Sequence, residues 1–145
     1  MKIYADTSFL FSLYASDANS AKADAWRQAN PAPLPFTALH RLELRNALSL
    51  ASFQQRLTNA EIQAAWREVE NDIAAGLLVG RIGLWHRIFA DAEVTATMHT
   101  PVIGCRSLDI LHITAAKLIG AAEFCTFDTR QATLATRIGL AAISP

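Results

Sequence analysis

The sequence predicts an α/β protein with a three-layer α/β/α sandwich, in which helices cover both faces of a mainly parallel central sheet. Short apolar runs of strand length alternate with longer helical patterns along the chain, and no internal repeat or low-complexity tract interrupts them. Strands that alternate with helices usually form a parallel sheet covered by those helices. A chain of 145 residues has the usual size of one domain, so we expect residues 1–145 to form a single domain.

The first part of the chain predicts two strands and three helices. A short buried strand spans residues 2–6 (KIYAD), and helices follow over residues 7–15 and 20–29. A second strand at residues 34–38 (LPFTA) precedes a long helix from about Leu39 to Phe53. Each strand is therefore followed by a helix, as a parallel sheet requires.

The rest of the chain continues this alternation. A capping-box pattern, Thr58 followed three residues later by Glu61, begins a helix that extends up to Gly76. The segments that follow predict a strand, two helices, a strand, a helix and a closing strand, at residues 77–82, 84–98, 107–121, 122–127, 129–138 and 140–144.

Composition narrows the class of protein. Thirteen Lys and Arg balance thirteen Asp and Glu, so any attraction to nucleic acid must come from a local basic patch. The first apolar run is short and interrupted by polar residues, and no later run approaches the ~18 apolar residues of a membrane span. We therefore expect a soluble, cytoplasmic protein with no membrane partner.

The two cysteines do not form a recognisable motif. Cys105 and Cys125 lack CxxC spacing and have no cluster of histidines nearby. This argues against a zinc knuckle and against the disulfide framework of a secreted domain. We expect reduced thiols with a structural role.

Two aspartates follow predicted strands. Asp6 ends the first strand and Asp128 ends the fourth, so in a parallel sheet both lie at the edge where ligands bind in α/β proteins. Either residue alone has an ordinary explanation, because Asp is a favoured N-cap for the helix that follows a strand.

Two further acids lie on apolar helix faces. Asp109 shares its face with Ile113, and Glu43 shares its face with Leu39 and Ala47. A helix-terminal Asp gains about 0.3–1 kcal/mol from the helix dipole. Two carboxylates about 6 Å apart repel by roughly 3 kcal/mol at an effective dielectric of 20, so capping alone does not explain a cluster. If the four acids converge, a cation must lie between them, and all-oxygen ligands suit Mg²⁺ or Mn²⁺.

With these residues identified, the chain resembles a PIN-domain ribonuclease, and most closely the VapC-type toxins of bacterial toxin–antitoxin pairs. The resemblance rests on four segments in order: YADTSFLFSLY, LELRNAL, RSLDILHITAAKLIGA and FCTFDTRQ. Each short acidic pattern is weak by itself, but four in the expected elements and at plausible spacing form a strong signal. The resemblance implies the parallel sheet between helices that the element order predicts independently.

The resemblance also implies the roles of individual residues. Asp6, Glu43, Asp109 and Asp128 are the implied catalytic acids, with Asp6, Asp109 and Asp128 binding Mg²⁺ or Mn²⁺. The hydroxyls of Thr126 and of Thr7 or Ser8 are implied to orient a metal-bound water or a carboxylate. The residues that could contact RNA are Arg45, Arg106, His112 and Arg130. His112 has an alternative explanation, since a histidine at that position more often serves packing or orientation.

The implied function is a metal-dependent endoribonuclease that acts on an RNA substrate, forms a homodimer and is inhibited by a cognate antitoxin. An acidic pocket predicts that this partner inserts an Arg or Lys near Asp6, Asp109 and Asp128. Two alternatives stay open. One is a catalytically silent PIN-fold module for RNA binding or assembly, and the other is a phosphatase with Asp6 as nucleophile. The phosphatase usually requires a second Asp two residues later, where this chain has Ser8.

Overall fold

A computed structural model of the protein describes residues 2–81 and 83–145. Over these residues, strands and helices follow the order βααβααβααβαβ. The strands are β1 (Ile3–Ala5), β2 (Leu34–Thr37), β3 (Leu78–Arg81), β4 (Glu123–Cys125) and β5 (Ala141–Ile143). The helices are α1 (Thr7–Tyr14), α2 (Ser20–Ala29), α3 (Ala38–Phe53), α4 (Asn59–Ala74), α5 (Trp85–Ile103), α6 (Ser107–Ile119) and α7 (Thr129–Arg137).

The predicted α/β fold with parallel strands is confirmed, because every strand pair among the described residues is parallel. The chain forms two compact units, one of residues 2–6 with 83–144 and the other of residues 7–81 with Pro145. The single domain over residues 1–145 stays a prediction. Ile82, the expected last residue of the third strand, lies outside the described residues.

The first unit contains a three-stranded sheet in the order β1-β4-β5. All three residues of β1 are buried, as are Phe124 and Cys125 of the central strand β4. Helix α6 belongs to this unit, and all its residues from Ile110 to Ala116 are buried. Strands β1 and β4 are largely buried, which explains why their residues form continuous apolar runs instead of alternating with polar residues.

Helix α5 is longer than predicted. The sequence analysis ended this helix at Met98, but the helix continues to Ile103 and includes Pro101. Pro101 lies in the last turn, where its missing N–H removes only one backbone hydrogen bond. The helix ends at Gly104, whose left-handed φ of 72° suits a residue without a side chain.

The second unit contains the parallel pair β2-β3 and helices α1–α4. Leu44 and Leu48 of α3 are fully buried in its core. Tyr14, at the end of α1, donates a 2.6 Å hydrogen bond to Asp72 of α4. Burial raises the pKa of the Tyr14 hydroxyl, and the hydrogen bond to Asp72 adds to the rise, so the hydroxyl remains a donor at any physiological pH.

Two expectations from composition can be compared with the structure. Both cysteines are free and buried, as expected for structural thiols. Within residues 2–81 and 83–145, none of the helices combines the length and the apolar character needed to cross a membrane.

The capping box at the start of α4 predicts a measurable stabilisation. Thr58 Oγ1 accepts from the backbone N–H of Glu61 at 3.2 Å, and Glu61 Oε2 accepts from the N–H of Thr58 at 2.7 Å. Thr58→Ala should lower the free energy of unfolding by about 1 kcal/mol, because the first turn of α4 loses a cap. Urea denaturation followed by circular dichroism measures this change.

Thr97→Ala is the matched control for the cap. Thr97 is exposed within α5, and its hydroxyl donates to the Glu93 carbonyl of its own helix at 2.9 Å. Alanine has the higher helix propensity, so this variant should be as stable as the original chain or slightly more stable. Equal destabilisation by the two variants would contradict the role assigned to the cap.

Candidate active site

The pairing of β1 with β4 brings two predicted acids to one edge of the sheet. Ala5 lies opposite Cys125, and the backbone N–H of Asp6 donates to the Cys125 carbonyl at 3.0 Å. Asp6 and Asp128 therefore follow parallel strands at the same edge of the sheet, as the sequence predicted, and these two strands are neighbours. The Asp6 side chain is buried, with 1% of the residue exposed.

Thr126 links these two acids. Its hydroxyl is fully buried, donates to Asp6 Oδ2 at 2.7 Å and accepts from the backbone N–H of Asp128 at 2.9 Å. This hydroxyl was predicted to orient a metal-bound water or a carboxylate, and the hydrogen bond to Asp6 is of the second kind. One side chain thus fixes both the Asp6 carboxylate and the backbone from which Asp128 projects.

Asp128 caps helix α7 and also faces a cation. Its Oδ1 accepts from the backbone N–H groups of Arg130 and Gln131, at 2.8 and 3.1 Å. Its Oδ2 lies 4.0 Å from Arg106 Nη2. The capping explanation from the sequence is therefore correct for one oxygen of Asp128, and the second oxygen is directed to a positive charge.

Asp109 lies in the first turn of α6 and is surrounded by donors. Arg106 Nε donates to its Oδ2 at 2.9 Å, and Arg106 Nη2 approaches its Oδ1 at 3.4 Å. Gln131 Nε2 donates to the same Oδ1 at 3.1 Å. The hydrogen bonds and ion pairs therefore form one continuous network, within the first unit, from Asp6 through Thr126, Asp128 and Arg106 to Asp109.

The partners of Asp109 were not predicted from the sequence. Arg106 was assigned to RNA contact, although its i, i+3 spacing from Asp109 was visible in the sequence and is typical of an ion pair on a helix. Gln131 was not assigned at all, since a glutamine in the first turn of a helix looks like a surface residue. Gln131 is only 4% exposed, and among the described residues its Oε1 has no hydrogen-bond partner.

Glu43 and Thr7 belong to the second unit. Glu43 is half-buried on α3, and Thr7 Oγ1 donates to its Oε2 at 2.9 Å. Thr7 directly follows Asp6 in the chain. Ser8 is exposed, and its carbonyl accepts from Ser12 Oγ at 3.2 Å. Thr7, one of the two predicted supporting hydroxyls in this segment, thus holds the predicted acid Glu43.

The residues expected to contact RNA have different surroundings. Arg45 is exposed, with its guanidinium carbon 3.5 Å from the ring centroid of Trp66. Arg130 is exposed at the start of α7. His112 is 2% exposed and forms a 2.8 Å hydrogen bond between Nδ1 and the Tyr4 hydroxyl, which favours the packing role over RNA contact.

The negative charge of this region affects the pKa of both cysteine thiols. Burial raises the pKa of Cys105, and the charges of Asp109 and Asp128 raise it further. Burial also raises the pKa of Cys125, with an added contribution from Asp6. Both thiols are therefore protonated at neutral pH.

The donor set fits a hard divalent cation in its chemistry. Asp6, Asp109 and Asp128 offer carboxylate oxygens, the ligands that Mg²⁺ and Mn²⁺ prefer. Across the described part of the chain, however, no group of three or more His, Cys, Asp and Glu side chains is close enough to hold one metal ion. The Arg106 guanidinium lies beside two of these acids, since it contacts Asp109 and lies 4.0 Å from Asp128.

Comparisons with known proteins agree with the predicted fold. The PIN domain family matches residues 3–136, so the chain belongs to the PIN domain family. Members of this family are generally nucleases, and they generally use divalent metal ions. A comparison with curated proteins gave no match.

Three solved structures are similar to the chain. FitAcB from Neisseria gonorrhoeae superposes with a TM-score of 0.64 at 20% identity, covering 97% of this chain and 96% of that one. PAE2754 from Pyrobaculum aerophilum gives 0.61 at 18% identity, covering 98% and 89%. FitAB bound to an IR36 DNA fragment gives 0.64 at 20% identity, covering 99% and 94%. At these identities the similarity shows the PIN-like α/β fold, which confirms the predicted fold class.

The Thr126 hydroxyl should contribute strongly to stability. Thr126→Val keeps the shape of the side chain but removes a donor to Asp6 and an acceptor for the Asp128 N–H, both inside the protein. We expect the free energy of unfolding to fall by about 1–3 kcal/mol, the usual cost of leaving buried polar groups without a partner. Urea denaturation measures the loss.

Thr114→Val is the matched control for this substitution. Thr114 is also buried, but its hydroxyl donates only to the Ile110 carbonyl of its own helix, at 2.8 Å. Replacing it should change the free energy of unfolding by less than about 1 kcal/mol, since no other side chain loses a partner. If the two variants lost the same stability, the link through Thr126 would not be a special feature of the site.

Proposed function

We propose that this protein is a metal-dependent endoribonuclease, the VapC-type toxin of a toxin–antitoxin pair. The observation that carries the proposal is the network in which Thr126, Arg106 and Gln131 fix three acids at the ends of β1 and β4 and the start of α6. Membership of the PIN domain family supports nuclease activity. RNA as the substrate and the toxin role rest on the resemblance of the four acidic segments.

Each of the four predicted acids has a distinct role in this proposal. Asp6, Asp109 and Asp128 would hold Mg²⁺ or Mn²⁺, and the ion would activate a water and neutralise charge on the phosphate. Thr126 fixes the Asp6 carboxylate by its 2.7 Å hydrogen bond. Asp128 caps α7 with Oδ1 and would offer Oδ2 to the metal ion. Gln131 orients the Asp109 carboxylate by its hydrogen bond. Glu43 is the proposed fourth acid, held by Thr7.

The proposed cleavage relies on this cluster and not on a histidine base. His112 is buried against Tyr4, and it therefore does not offer an exposed imidazole for proton transfer. Carboxylates ionise well below neutral pH and are weak general bases at pH 7. Cleavage at neutral pH therefore needs a bound cation that lowers the pKa of a water.

The proposal includes an antitoxin partner and a homodimer. The FitAB assembly, which is similar in fold to this chain, was determined bound to DNA. A surface is available for self-association on α5, where the apolar side chains of Val94, Met98 and Val102 recur every four residues and are more than half exposed. Phosphate contacts by the exposed side chains of Arg45, Arg106 and Arg130 are proposed to position the RNA.

Removal of the metal tests the proposed chemistry. Cleavage of a mixed-sequence RNA by the purified protein should cease in excess EDTA and return when Mg²⁺ or Mn²⁺ exceeds the chelator, because no other group in the proposed site activates water at neutral pH. Gel analysis of 5′-labelled RNA measures the products, and DNA of the same sequence tests the choice of substrate. Undiminished cleavage in EDTA would refute metal dependence, and no cleavage under any condition would favour the silent PIN-fold module.

Asp6→Asn should separate activity from stability. Losing a metal ligand should lower the cleavage rate at least about 100-fold. In metal-free buffer the melting temperature should stay the same or rise, because the amide oxygen can still accept from Thr126 and one charge leaves a cluster of like charges. Initial cleavage rates and differential scanning calorimetry in EDTA measure the two effects.

Asp24→Asn is the matched control for charge and shape. Asp24 is exposed on α2 and has no assigned role, so both activity and melting temperature should be unchanged. A large fall in the melting temperature of Asp6→Asn in EDTA would instead show that Asp6 is chiefly structural.

A further inference from the structure

The contacts of Asp109 leave little room for a metal ion while Arg106 is in place. Oδ2 of Asp109 accepts from Arg106 Nε at 2.9 Å and lies 3.4 Å from the Arg106 backbone N–H. Oδ1 lies 3.4 Å from Arg106 Nη2 and 3.1 Å from Gln131 Nε2. The same guanidinium is 4.0 Å from Asp128 Oδ2, so one positive charge lies between the two carboxylates.

The two side chains that hold Asp109 differ in their freedom to move. The Arg106 side chain is 68% exposed, whereas Gln131 is 4% exposed. An arginine with most of its surface in water loses little packing when it rotates away, and its guanidinium stays hydrated. Gln131 is enclosed and can keep Asp109 oriented after Arg106 leaves.

We propose that Arg106 is a built-in counter-cation, which holds Asp109 and Asp128 in the metal-free protein and which a divalent ion must displace. This inference rests on the proposed function, because it concerns the same acidic site. A guanidinium and a divalent ion repel each other and compete for the same carboxylate oxygens. Arg106 therefore acts as a positioning residue that lowers metal affinity and keeps the buried Asp109 charge paired until an ion arrives.

The competition has a reciprocal consequence. Since the two cations compete for the same ligands, each weakens the binding of the other by the same factor. Removing the arginine should strengthen metal binding and at the same time weaken the metal-free protein. A purely structural surface ion pair would produce the second effect without the first.

Arg106→Gln tests the proposal by Mn²⁺ binding, without measuring activity. Isothermal titration of Mn²⁺ into the full chain should show a dissociation constant about tenfold lower in the variant than in the original protein. Arg106→Lys keeps the charge but loses the planar guanidinium. Its Mn²⁺ dissociation constant should therefore lie between those of the original protein and Arg106→Gln. Because Arg106→Lys still supplies a counter-charge to Asp109, it also keeps the test interpretable if Arg106→Gln folds poorly.

Arg130→Gln is the control for general charge effects. Arg130 is exposed near the same acids, and across the described residues its guanidinium makes no ion pair with them. The variant has the same change of net charge, so its dissociation constant should fall by less than about threefold, as expected for a screened, exposed charge. Equal strengthening in Arg106→Gln and Arg130→Gln would overturn the proposal, because it would show a long-range field instead of displacement.

Melting temperatures provide the second measurement. In EDTA, Arg106→Gln should melt several degrees below the original protein, because Asp109 loses its partner. In saturating Mn²⁺ the two melting temperatures should converge, since the ion then replaces the guanidinium. An unchanged Mn²⁺ dissociation constant in Arg106→Gln would overturn displacement and leave the proposed metal site intact. Absence of Mn²⁺ binding in every variant would overturn both this inference and the metal-dependent function.

Discussion

The parallel pairing of β1 with β4 is the constraint on which the site depends. It brings Asp6 next to Thr126, which lies 120 positions away in the sequence, and it fixes which of their side chains face each other. A slip of one residue in this pairing would turn the Thr126 hydroxyl to the opposite face of the sheet. Asp6 would then lose its donor, and the first turn of α7 would no longer be held against β1. The register of this strand pairing therefore determines which side chains meet in the candidate site.

Much of this fold follows from sequence patterns that act over short distances. The capping box at Thr58 defined the start of α4 because both of its partners lie within one turn. Strand β1 was recognisable as an apolar run that ends at a polar residue. The predicted end of α5 at Met98 was wrong, because the helix continues through Pro101, and a proline in a final turn removes little hydrogen bonding. The sheet order β1-β4-β5 could not be predicted, since it depends on contacts between distant segments.

The candidate site also has a part that could be predicted from the sequence and a part that could not. The acids were visible in the sequence because a carboxylate on an apolar face is unusual and therefore informative. Their partners were less visible. The spacing of Arg106 from Asp109 was the single signal for an ion pair, and nothing in the sequence distinguishes Gln131 from a glutamine that faces water. Only the approach of α7 to the start of α6 brings the amide of Gln131 to within 3.1 Å of Asp109. Side chains that serve a site by orienting other side chains are the part of a function that sequence patterns show least.

The protonated thiols near the acids bear on which metals the proposed site would bind. Cys105 and Cys125 lie in the negative field of the carboxylates, and burial together with that field raises the pKa of each thiol. Soft and borderline ions such as Zn²⁺ gain their affinity for cysteine from the thiolate, which these surroundings disfavour. In the proposed metal site the carboxylates would supply the hard ligands. Burial, with a smaller contribution from the carboxylate charges, keeps both sulfur atoms neutral, so that these cysteines would offer no thiolate to a thiophilic metal.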